Sequence, residues 1–161
     1  MLLLVDGYNV TMRDPATSGR SKESQREALL ARLRVHARDI APGGTIAAVF
    51  DAHRALGHTS EGAGPVKSVY ADVADDEIVR RCSGAIGRVV VVTDDLRLRA
   101  RISQDVGRHI EYRDGSSVFA ETIAGTPSSP RNAPLAREAG LPPGANKITE
   151  ELKDLWLTED D

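Results

Sequence analysis

Short apolar runs recur along the chain, and each of them ends at a polar turn or an acidic residue. The runs are residues 2–5, 45–50, 66–70 and 88–93, the last with four consecutive valines. Asp6 stops the first run and Asp51 stops the second. Because continuous apolar runs of this length are typical of strands covered on both faces, we predict four buried strands. The polar stretches that follow the first two, residues 7–20 and 53–65, are predicted to be loops.

The segments between the other runs have the apolar spacing of helices. Over residues 24–40 apolar side chains recur at intervals of three and four, and Ser24 and Glu27 have the spacing of a capping box. A second helix is predicted in the later part of residues 71–87, with Gly87 as its stop. Its apolar residues, four apart, are Ile78, Cys82 and Ile86.

Residues 94–107 fit two periodicities. Leucines and arginines alternate as in a strand, but Leu98, Ile102 and Val106 also fit one face of a helix. The position after one strand and before a strand-like segment, residues 109–112, favours the helix. The alternation of strands and helices then predicts an α/β fold, with a mostly parallel central sheet and helices on both faces.

The composition changes after about Thr122. Residues 123–147 are dense in Pro, Gly, Ser and Ala, which predicts an irregular linker. Residues 148–161 predict a short helix with an acidic end; its apolar side would dock on the body, on a second copy in a homodimer, or on another partner. The expected organisation is one domain over residues 1–122 followed by this tail.

Composition and charge narrow the classes of partner. The hydrophobic fraction of 40% and the charged fraction of 28% are ordinary for a globular protein. The aromatic fraction of 4% argues against a surface rich in base-stacking rings. Because the formal net charge is −3, any basic face that binds nucleic acid has to be local.

The single cysteine and the start of the chain bear on the compartment. Cys82 has no second cysteine to pair with, and we expect it to be a buried apolar residue on a helix. The first apolar residues end at Asp6, without the basic start or longer apolar stretch of a signal peptide. We therefore expect a cytoplasmic protein without a membrane span.

Acidic residues follow the predicted strands at corresponding places. Asp6 and Asp51 end the first two, Asp75 comes shortly after the third, and Asp94-Asp95 follow the fourth. About one position in seven is acidic in this chain, so acids at all these places exceed chance without being decisive. Ligands gather at the carboxyl ends of strands in open parallel sheets, which makes these acids candidate site residues.

Two interpretations of these acids remain open from the pattern alone. Aspartates at helix starts act as caps, and Asp-Gly is a common turn, so Asp6, Asp75 and Asp95 could each be structural. Asp51 is harder to explain as a cap, because no helical pattern follows it. Carboxylates gathered at one edge repel each other unless a cation lies between them, and oxygen ligands favour Mg²⁺ or Mn²⁺. Such a site suits hydrolysis of phosphodiesters.

Four motifs together resemble a known family. Asp6-Gly7-Tyr8-Asn9, Val49-Phe50-Asp51-Ala52-His53, Ala74-Asp75-Asp76-Glu77-Ile78 and Val92-Thr93-Asp94-Asp95 occur in the order seen in YacP-like NYN-domain proteins, a branch of the PIN-like nucleases. The resemblance covers about residues 2–113. It implies a Rossmann-like PIN/NYN fold and divalent-metal-dependent endoribonuclease activity, and members of the family include ribosome-associated mRNA endonucleases.

The resemblance also implies roles for individual residues. Asp6 would be the central metal ligand, with Asp51, Asp75 and Asp95 completing the acidic cluster. Asn9 would help to hold Asp6 or a water, and Thr93 would assist as a small hydroxyl residue. The chain has Val73-Ala74-Asp75-Asp76 where Thr-Ala-Asp-Glu is common, and Asp94-Asp95 where Ser-Asp is usual, but both departures keep an acid in place.

Basic residues lie near the predicted edge and could form a local track for phosphates. The candidates for RNA binding are Arg13, Arg20, Lys22, Arg54, Lys67 and Arg97, and most of them would otherwise be solvated surface residues. Tyr8 is predicted to pack in the core rather than to stack on a base. His53 fits a solvated loop better than a proton-transfer role.

Two rival functions have different signatures. A non-catalytic RNA- or ribosome-binding adaptor would keep the fold and lose the acids, which are retained here. A phosphatase of the haloacid-dehalogenase type requires Asp-x-Asp after the first strand, and Asp6-Gly7-Tyr8 lacks it. Dinucleotide binding would require a Gly-x-Gly-x-x-Gly turn, which the sequence does not contain.

Overall fold

A single sheet forms the centre of the computed structural model, which describes residues 1–52, 59–62 and 64–125. Its strands are β1 (Leu2–Asp6), β2 (Thr45–Asp51), β3 (Thr59–Glu61), β4 (Val66–Ala71), β5 (Val89–Val92) and β6 (Glu111–Arg113). Their order is β3-β4-β2-β1-β5-β6, and every neighbouring pair is parallel except β3 with β4. The predicted mostly parallel α/β sheet is confirmed.

Helices cover both faces of this sheet. They are α1 (Gly7–Arg13), α2 (Lys22–Val35), α3 (Ala37–Ile40), α4 (Ala74–Gly84), α5 (Leu96–Asp105) and α6 (Ala120–Ala124), with 3₁₀ turns at Pro15–Thr17 and Gly115–Val118. Val90 and Val92 pack into the core beneath α1, α2 and α3, whereas Val89 and Val91 pack into the core beneath α4 and α5. Strand β5 is therefore apolar throughout because both of its faces are buried.

The segment after β1 is helical, which corrects the predicted loop over residues 7–20. Gly7, Val10 and Thr11 lie three and four positions apart and are buried, so they form the inner side of α1. The predicted turn at Asp6-Gly7 is instead the junction between the end of β1 and the start of α1. Gly7 instead allows close contact, since a Cβ built on it would lie 2.2 Å from a ring carbon of Phe50.

Two helix boundaries also differ from the predictions. Ser21, not Ser24, caps α2, because its hydroxyl accepts the Ser24 backbone N–H at 3.2 Å. Ile86 lies beyond the end of α4 and is 98% exposed, so the predicted repeat of Ile78, Cys82 and Ile86 is wrong at its last member. Cys82 is fully buried, as expected.

Strand β3 lies within the stretch predicted to be flexible. It pairs antiparallel with β4 at the edge of the sheet. Its sequence, Thr59-Ser60-Glu61, is polar, so the hydrophobic pattern did not predict a strand here. Apart from the end of α6, the predicted linker and C-terminal helix lie outside the described residues. No helix among the described residues is both long enough and apolar enough to cross a membrane.

Candidate active site

The parallel strands bring the predicted acids to one edge of the sheet. Asp6 and Asp51 are the last residues of β1 and β2, and Thr93 directly follows β5. Strand β1 lies between β2 and β5, so Asp6 stands at the middle of this edge. Asp75 enters from the first turn of α4. This is the edge at which open parallel sheets bind ligands.

A short chain of hydrogen bonds holds Asp6 in place. The hydroxyl of the fully buried Thr93 donates to Asp6 Oδ2 at 2.8 Å. The same hydroxyl accepts the backbone N–H of Asp95 at 3.0 Å. Thr93 therefore links Asp6 to Asp95, the acid that follows β5.

The pKa of Asp6 reflects both burial and neighbouring charge. Asp6 is 7% exposed, and its pKa is raised from 3.8 to about 6, with burial as the largest cause. The charges of Asp75 and Asp95 add to the rise, whereas the Thr93 hydroxyl and the backbone of Asn9 lower the pKa by hydrogen bonding. A carboxylate with these neighbours changes its protonation state near pH 6, well above the usual range for aspartate.

Asp75 connects the remaining acids to this centre. Partial burial raises its pKa, and the charges of Asp95 and Asp51 raise it further. Asp75 thus lies within electrostatic reach of both Asp51 and Asp95, and Asp6 lies within reach of Asp75 and Asp95. Repulsion between these carboxylates, when they are ionised, destabilises the folded protein.

Two of these acids also have a structural role. Asp51 Oδ1 accepts the backbone N–H of Ala74 at 2.8 Å, so Asp51 does cap a helix, namely α4, which begins 23 residues later. This corrects the inference that Asp51 was hard to explain as a cap. Asp95 caps α5 by accepting the backbone N–H groups of Arg97 and Leu98. Capping fixes both carboxylates in position at the edge.

The neighbouring acids Asp76 and Asp94 are occupied differently. Asp76 forms an ion pair with Arg101 at 2.6 Å. Asp94 lies 3.8 Å from Arg13 and accepts the backbone N–H of Gly115 at 3.2 Å. Because of these contacts, Asp75 is a better candidate metal ligand than Asp76, and Asp95 is a better one than Asp94.

Asn9 acts on the backbone beside the site. Its side-chain Oδ1 accepts the backbone N–H of Asp94 at 3.0 Å, which joins α1 to the segment after β5. Its backbone, not its side chain, stabilises ionised Asp6. The predicted role in holding Asp6 is therefore carried by the main chain of Asn9.

The donor set suits a hard cation. No group of three His, Cys, Asp or Glu side chains in the described part of the chain converges tightly enough to hold an ion unaided. Mg²⁺, however, keeps several waters and often uses only one or two carboxylates. Within the described residues Asp6, Asp51, Asp75 and Asp95 form no ion pair, and a cation would offset the repulsion that raises the pKa values of Asp6 and Asp75. The site thus fits a divalent ion by chemistry, with waters completing its coordination.

The predicted RNA-binding residues are distributed unevenly. Arg13 and Arg97 lie beside Asp94 and Asp95, and both are exposed. Lys22 is exposed with its Nζ 5.6 Å from the centre of the Tyr8 ring, and Arg20 is exposed in the turn before α2. Lys67 lies inside β4, four residues and therefore about 13 Å before its carboxyl end, which places it away from this edge. Arg54 and His53 lie outside the described residues.

A cleft beside Asp51 was not predicted. Its walls include Tyr8, Tyr70, Arg26, Glu23 and Glu61, and its volume is about 310 Å³. Tyr8 does pack against Phe50, as expected, but it also lines this cleft. The residues come from four separate elements, so no local spacing in the sequence indicated them.

Comparison with known proteins agrees with this architecture. The family model for the YacP-like NYN domain matches residues 3–114, which is more than half of the chain. The chain belongs to the YacP-like NYN domain family. The match begins at β1 and ends just after β6, so it contains all four acids of the candidate site.

A solved structure in the same family has a similar fold. The crystal structure of a tryptophan-to-leucine mutant of Rae1 (YacP) from Bacillus subtilis aligns with a TM-score of 0.59 at 18% identity. The alignment covers 98% of this chain and 85% of that chain. At this identity the likeness bears on the fold alone. No curated protein matches the chain in sequence.

Proposed function

We propose that this chain is a divalent-metal-dependent endoribonuclease that hydrolyses RNA phosphodiester bonds. The observation that carries the proposal is the gathering of Asp6, Asp51, Asp75 and Asp95 at one sheet edge, where the charges of Asp51, Asp75 and Asp95 act on the pKa values of Asp6 and Asp75. Membership of the NYN domain family supports an RNase-like function. Caps alone would not need acids that destabilise one another.

Asp6, Asp51, Asp75 and Asp95 would hold Mg²⁺ or Mn²⁺, one or two of them directly and the others through waters bound to the ion. When bound, the ion supplies positive charge that activates water and offsets the charge on the leaving oxygen of the phosphodiester. Asp6 is the central ligand because it is the most buried of the set and is anchored by Thr93. Asp51 and Asp95 are fixed by the helices that they cap.

The residues around the acids are suited to bind the RNA backbone. Arg13 and Arg97 flank the acids of the β5 side, and Lys22 and Arg20 lie near the start of α2. Contacts of this kind position a phosphate chain without reading its sequence. Because the overall charge is −3, binding depends on this local group rather than on a general basic surface. By its family resemblance, we further propose that the RNA includes mRNA on the ribosome.

Circular RNA gives the sharpest test, since only an endonuclease can open it. Purified protein is incubated with circular and linear RNA, structured and unstructured, in Mn²⁺, Mg²⁺ or EDTA, with and without ribosomes. We expect opening of the circles with metal and none with EDTA. Asp6→Asn should lose the activity, whereas Asp39→Asn, which alters an exposed aspartate on α3, should keep it.

The outcomes separate the candidates. Binding of RNA without any cleavage, even with ribosomes present, would favour the non-catalytic adaptor. Cleavage that persists in EDTA would overturn the metal dependence. Full activity of Asp6→Asn would show that the acidic cluster is not the catalytic centre.

A further inference from the structure

The cleft beside Asp51 combines aromatic rings with charges of both signs. Tyr8 comes from α1, Tyr70 from β4, Arg26 and Glu23 from α2, and Glu61 from β3. Asp51 belongs both to the cleft wall and to the acidic cluster, because its charge also raises the pKa of Asp75. A group bound in the cleft would therefore lie next to the proposed reaction centre.

Phe50 supports the two tyrosines from below. The Tyr8 ring meets Phe50 edge to face at 5.3 Å between centroids, and the Tyr70 ring stacks on Phe50 at 5.9 Å. Phe50 is fully buried, whereas both tyrosines are only partly buried. Three of the chain's six aromatic residues thus form one group at this place, even though the aromatic content is low. Rings held in this way offer a rigid surface for a planar ligand.

The charges of the cleft disfavour a phosphate as its occupant. Glu23 and Glu61 are exposed, and neither carboxylate is ion-paired to another of the described residues. Together with Asp51 they outnumber Arg26, the one cation among the described residues of the wall, and Lys22, whose Nζ lies 5.6 Å from the centre of the Tyr8 ring. The Arg26 guanidinium lies 5.5 Å from the centre of the Tyr70 ring, where it can also stack on a planar group. A neutral, planar ligand with hydrogen-bond donors fits these walls better than an anion.

Among the nucleobases, guanine matches both kinds of charged group. Its O6 and N7 accept hydrogen bonds, and an arginine fork is the commonest protein partner of that edge. Its N1–H and N2–H₂ are adjacent donors, which a carboxylate can accept with both oxygens. Uracil lacks the exocyclic amino group, and adenine lacks the O6 acceptor. Among the four bases, only guanine presents both a pair of adjacent acceptors for Arg26 and a pair of adjacent donors for a glutamate of the cleft.

We propose that this cleft binds a guanine base of single-stranded RNA, at a nucleotide next to the phosphodiester that is cut. Arg26 donates to the O6/N7 edge, Glu23 or Glu61 accepts from N1–H and N2–H₂, and the tyrosines pack against the base. The base must be unstacked to enter, so paired RNA is excluded. The proposal rests on the proposed function for its effect on cleavage, but base binding can be measured without cleavage.

Mononucleotides test binding in the absence of turnover. GMP, IMP, AMP and UMP are titrated into the metal-free full chain in EDTA, and the ring resonances of Tyr8 and Tyr70 are followed by NMR. All four ligands carry the same phosphate, so differences in affinity report on the base. We expect GMP to bind about tenfold more tightly than IMP, which lacks only the N2 amino group, because a carboxylate then loses one partner. Equal affinities for GMP, IMP and UMP would overturn the proposal.

Charge-neutral variants assign the discrimination to the cleft. Glu23→Gln combined with Glu61→Gln should bring the GMP and IMP affinities to within about twofold of each other, since an amide presents one acceptor where the carboxylate presents two. Glu27→Gln is the matched control, because Glu27 is also exposed on α2 but does not line the cleft. Retained discrimination in the double variant, or its loss in Glu27→Gln, would contradict the assignment.

A cleavage measurement separates this inference from the proposed function. Wild-type protein with Mn²⁺ is given single-stranded oligonucleotides of uridine that contain one guanosine or one inosine at a fixed position. Cutting concentrated next to guanosine supports both proposals. Cleavage at every position with equal rate would support the nuclease function and overturn the proposal that the cleft binds guanine. Tight GMP binding without any cleavage would overturn the nuclease function and support guanine binding in the cleft.

Discussion

The hydroxyl of Thr93 donates a 2.8 Å hydrogen bond to Asp6 Oδ2 and accepts a 3.0 Å hydrogen bond from the backbone N–H of Asp95. Thr93 is fully buried, so no water can take over either contact. One side chain therefore lowers the pKa of Asp6 and also holds the backbone of Asp95, the acid that follows β5.

Replacing Thr93 by valine keeps the shape of the side chain and removes both contacts. We expect RNA cleavage by Thr93→Val to fall about 10- to 100-fold, the range for loss of a hydrogen bond to a charged group. The pKa of Asp6 should rise above its wild-type value of about 6, because the Thr93 hydrogen bond lowers it. A pH titration of the Asp6 side-chain carbon by NMR on metal-free protein measures this shift.

The matched control is Thr93→Ser, which retains the hydroxyl. It should retain most of the activity and leave the pKa of Asp6 close to that of the wild type. If valine and serine behave alike in the titration, the hydroxyl does not stabilise ionised Asp6.

The charge on Asp6 should make the metal-free protein less stable as pH rises. The pKa of Asp6 is about 6 in the folded chain and 3.8 in the reference state, so between these values the folded chain holds a proton that the unfolded chain has released. The free energy of unfolding therefore decreases through this window and is level above it, with a total change of at most about 3 kcal/mol.

Asp6→Asn removes this effect while keeping an oxygen that accepts from Thr93. We expect the metal-free variant to be more stable than the wild type at pH 7.5 and equal to it near pH 4, as measured by urea unfolding in EDTA. Asp39→Asn, on the exposed surface of α3, should follow the wild type at every pH. If metal-free Asp6→Asn is less stable than the wild type at pH 7.5, the charge on Asp6 does not destabilise the folded protein.

Divalent ions should stabilise the wild type by relieving the same repulsion. A ligand that binds only the folded state adds about 2.7 kcal/mol at a concentration 100 times its Kd. Thermal unfolding with increasing Mn²⁺ should therefore show a rising Tm for the wild type and a much smaller rise for Asp6→Asn.

Asp76→Asn is a demanding comparison for this measurement. Asp76 is next to a proposed ligand but forms an ion pair with Arg101, so its loss should leave the response to Mn²⁺ largely intact. A response abolished equally by Asp76→Asn and Asp6→Asn would assign the effect to general negative charge rather than to the proposed ligands.

The parts of this site that the sequence predicted depend on strand ends. Hydrophobic runs located β1, β2, β4 and β5, and the parallel arrangement then placed Asp6, Asp51 and Asp95 at one edge without any knowledge of side-chain contacts. The alternation of strands and helices is sufficient to place these acids together, because the carboxyl ends of parallel strands lie at the same edge of the sheet.

The parts that were missed depend on contacts between distant residues. Asp51 caps a helix that begins 23 residues later, and the aromatic cleft is assembled from α1, α2, β2, β3 and β4. Helix α1 was missed because its buried side consists of Gly7, Val10 and Thr11, of which only Val10 is strongly hydrophobic. The position of Glu61 in the cleft was not predicted, because β3 is a short polar edge strand.

Gly7 provides a test of the packing that joins the site to the cleft. A Cβ at this position would lie 2.2 to 2.8 Å from three ring carbons of Phe50, which is fully buried beneath Tyr8 and Tyr70. Because the ring cannot move without disturbing both tyrosines, Gly7→Ala should lower the free energy of unfolding by about 1 to 3 kcal/mol, the usual cost of overpacking.

Gly84→Ala is the appropriate comparison, since Gly84 ends α4 and a Cβ there would meet no atom within 4 Å. Alanine favours helix over glycine, so this variant should be as stable as the wild type or more stable by up to about 1 kcal/mol. Urea unfolding of both variants measures the difference. Because the Phe50 ring contacts both tyrosine rings, Gly7→Ala should also shift the Tyr8 and Tyr70 ring resonances in the folded protein. A Gly7→Ala protein with wild-type stability and unchanged tyrosine resonances would mean that Phe50 does not pack against this turn.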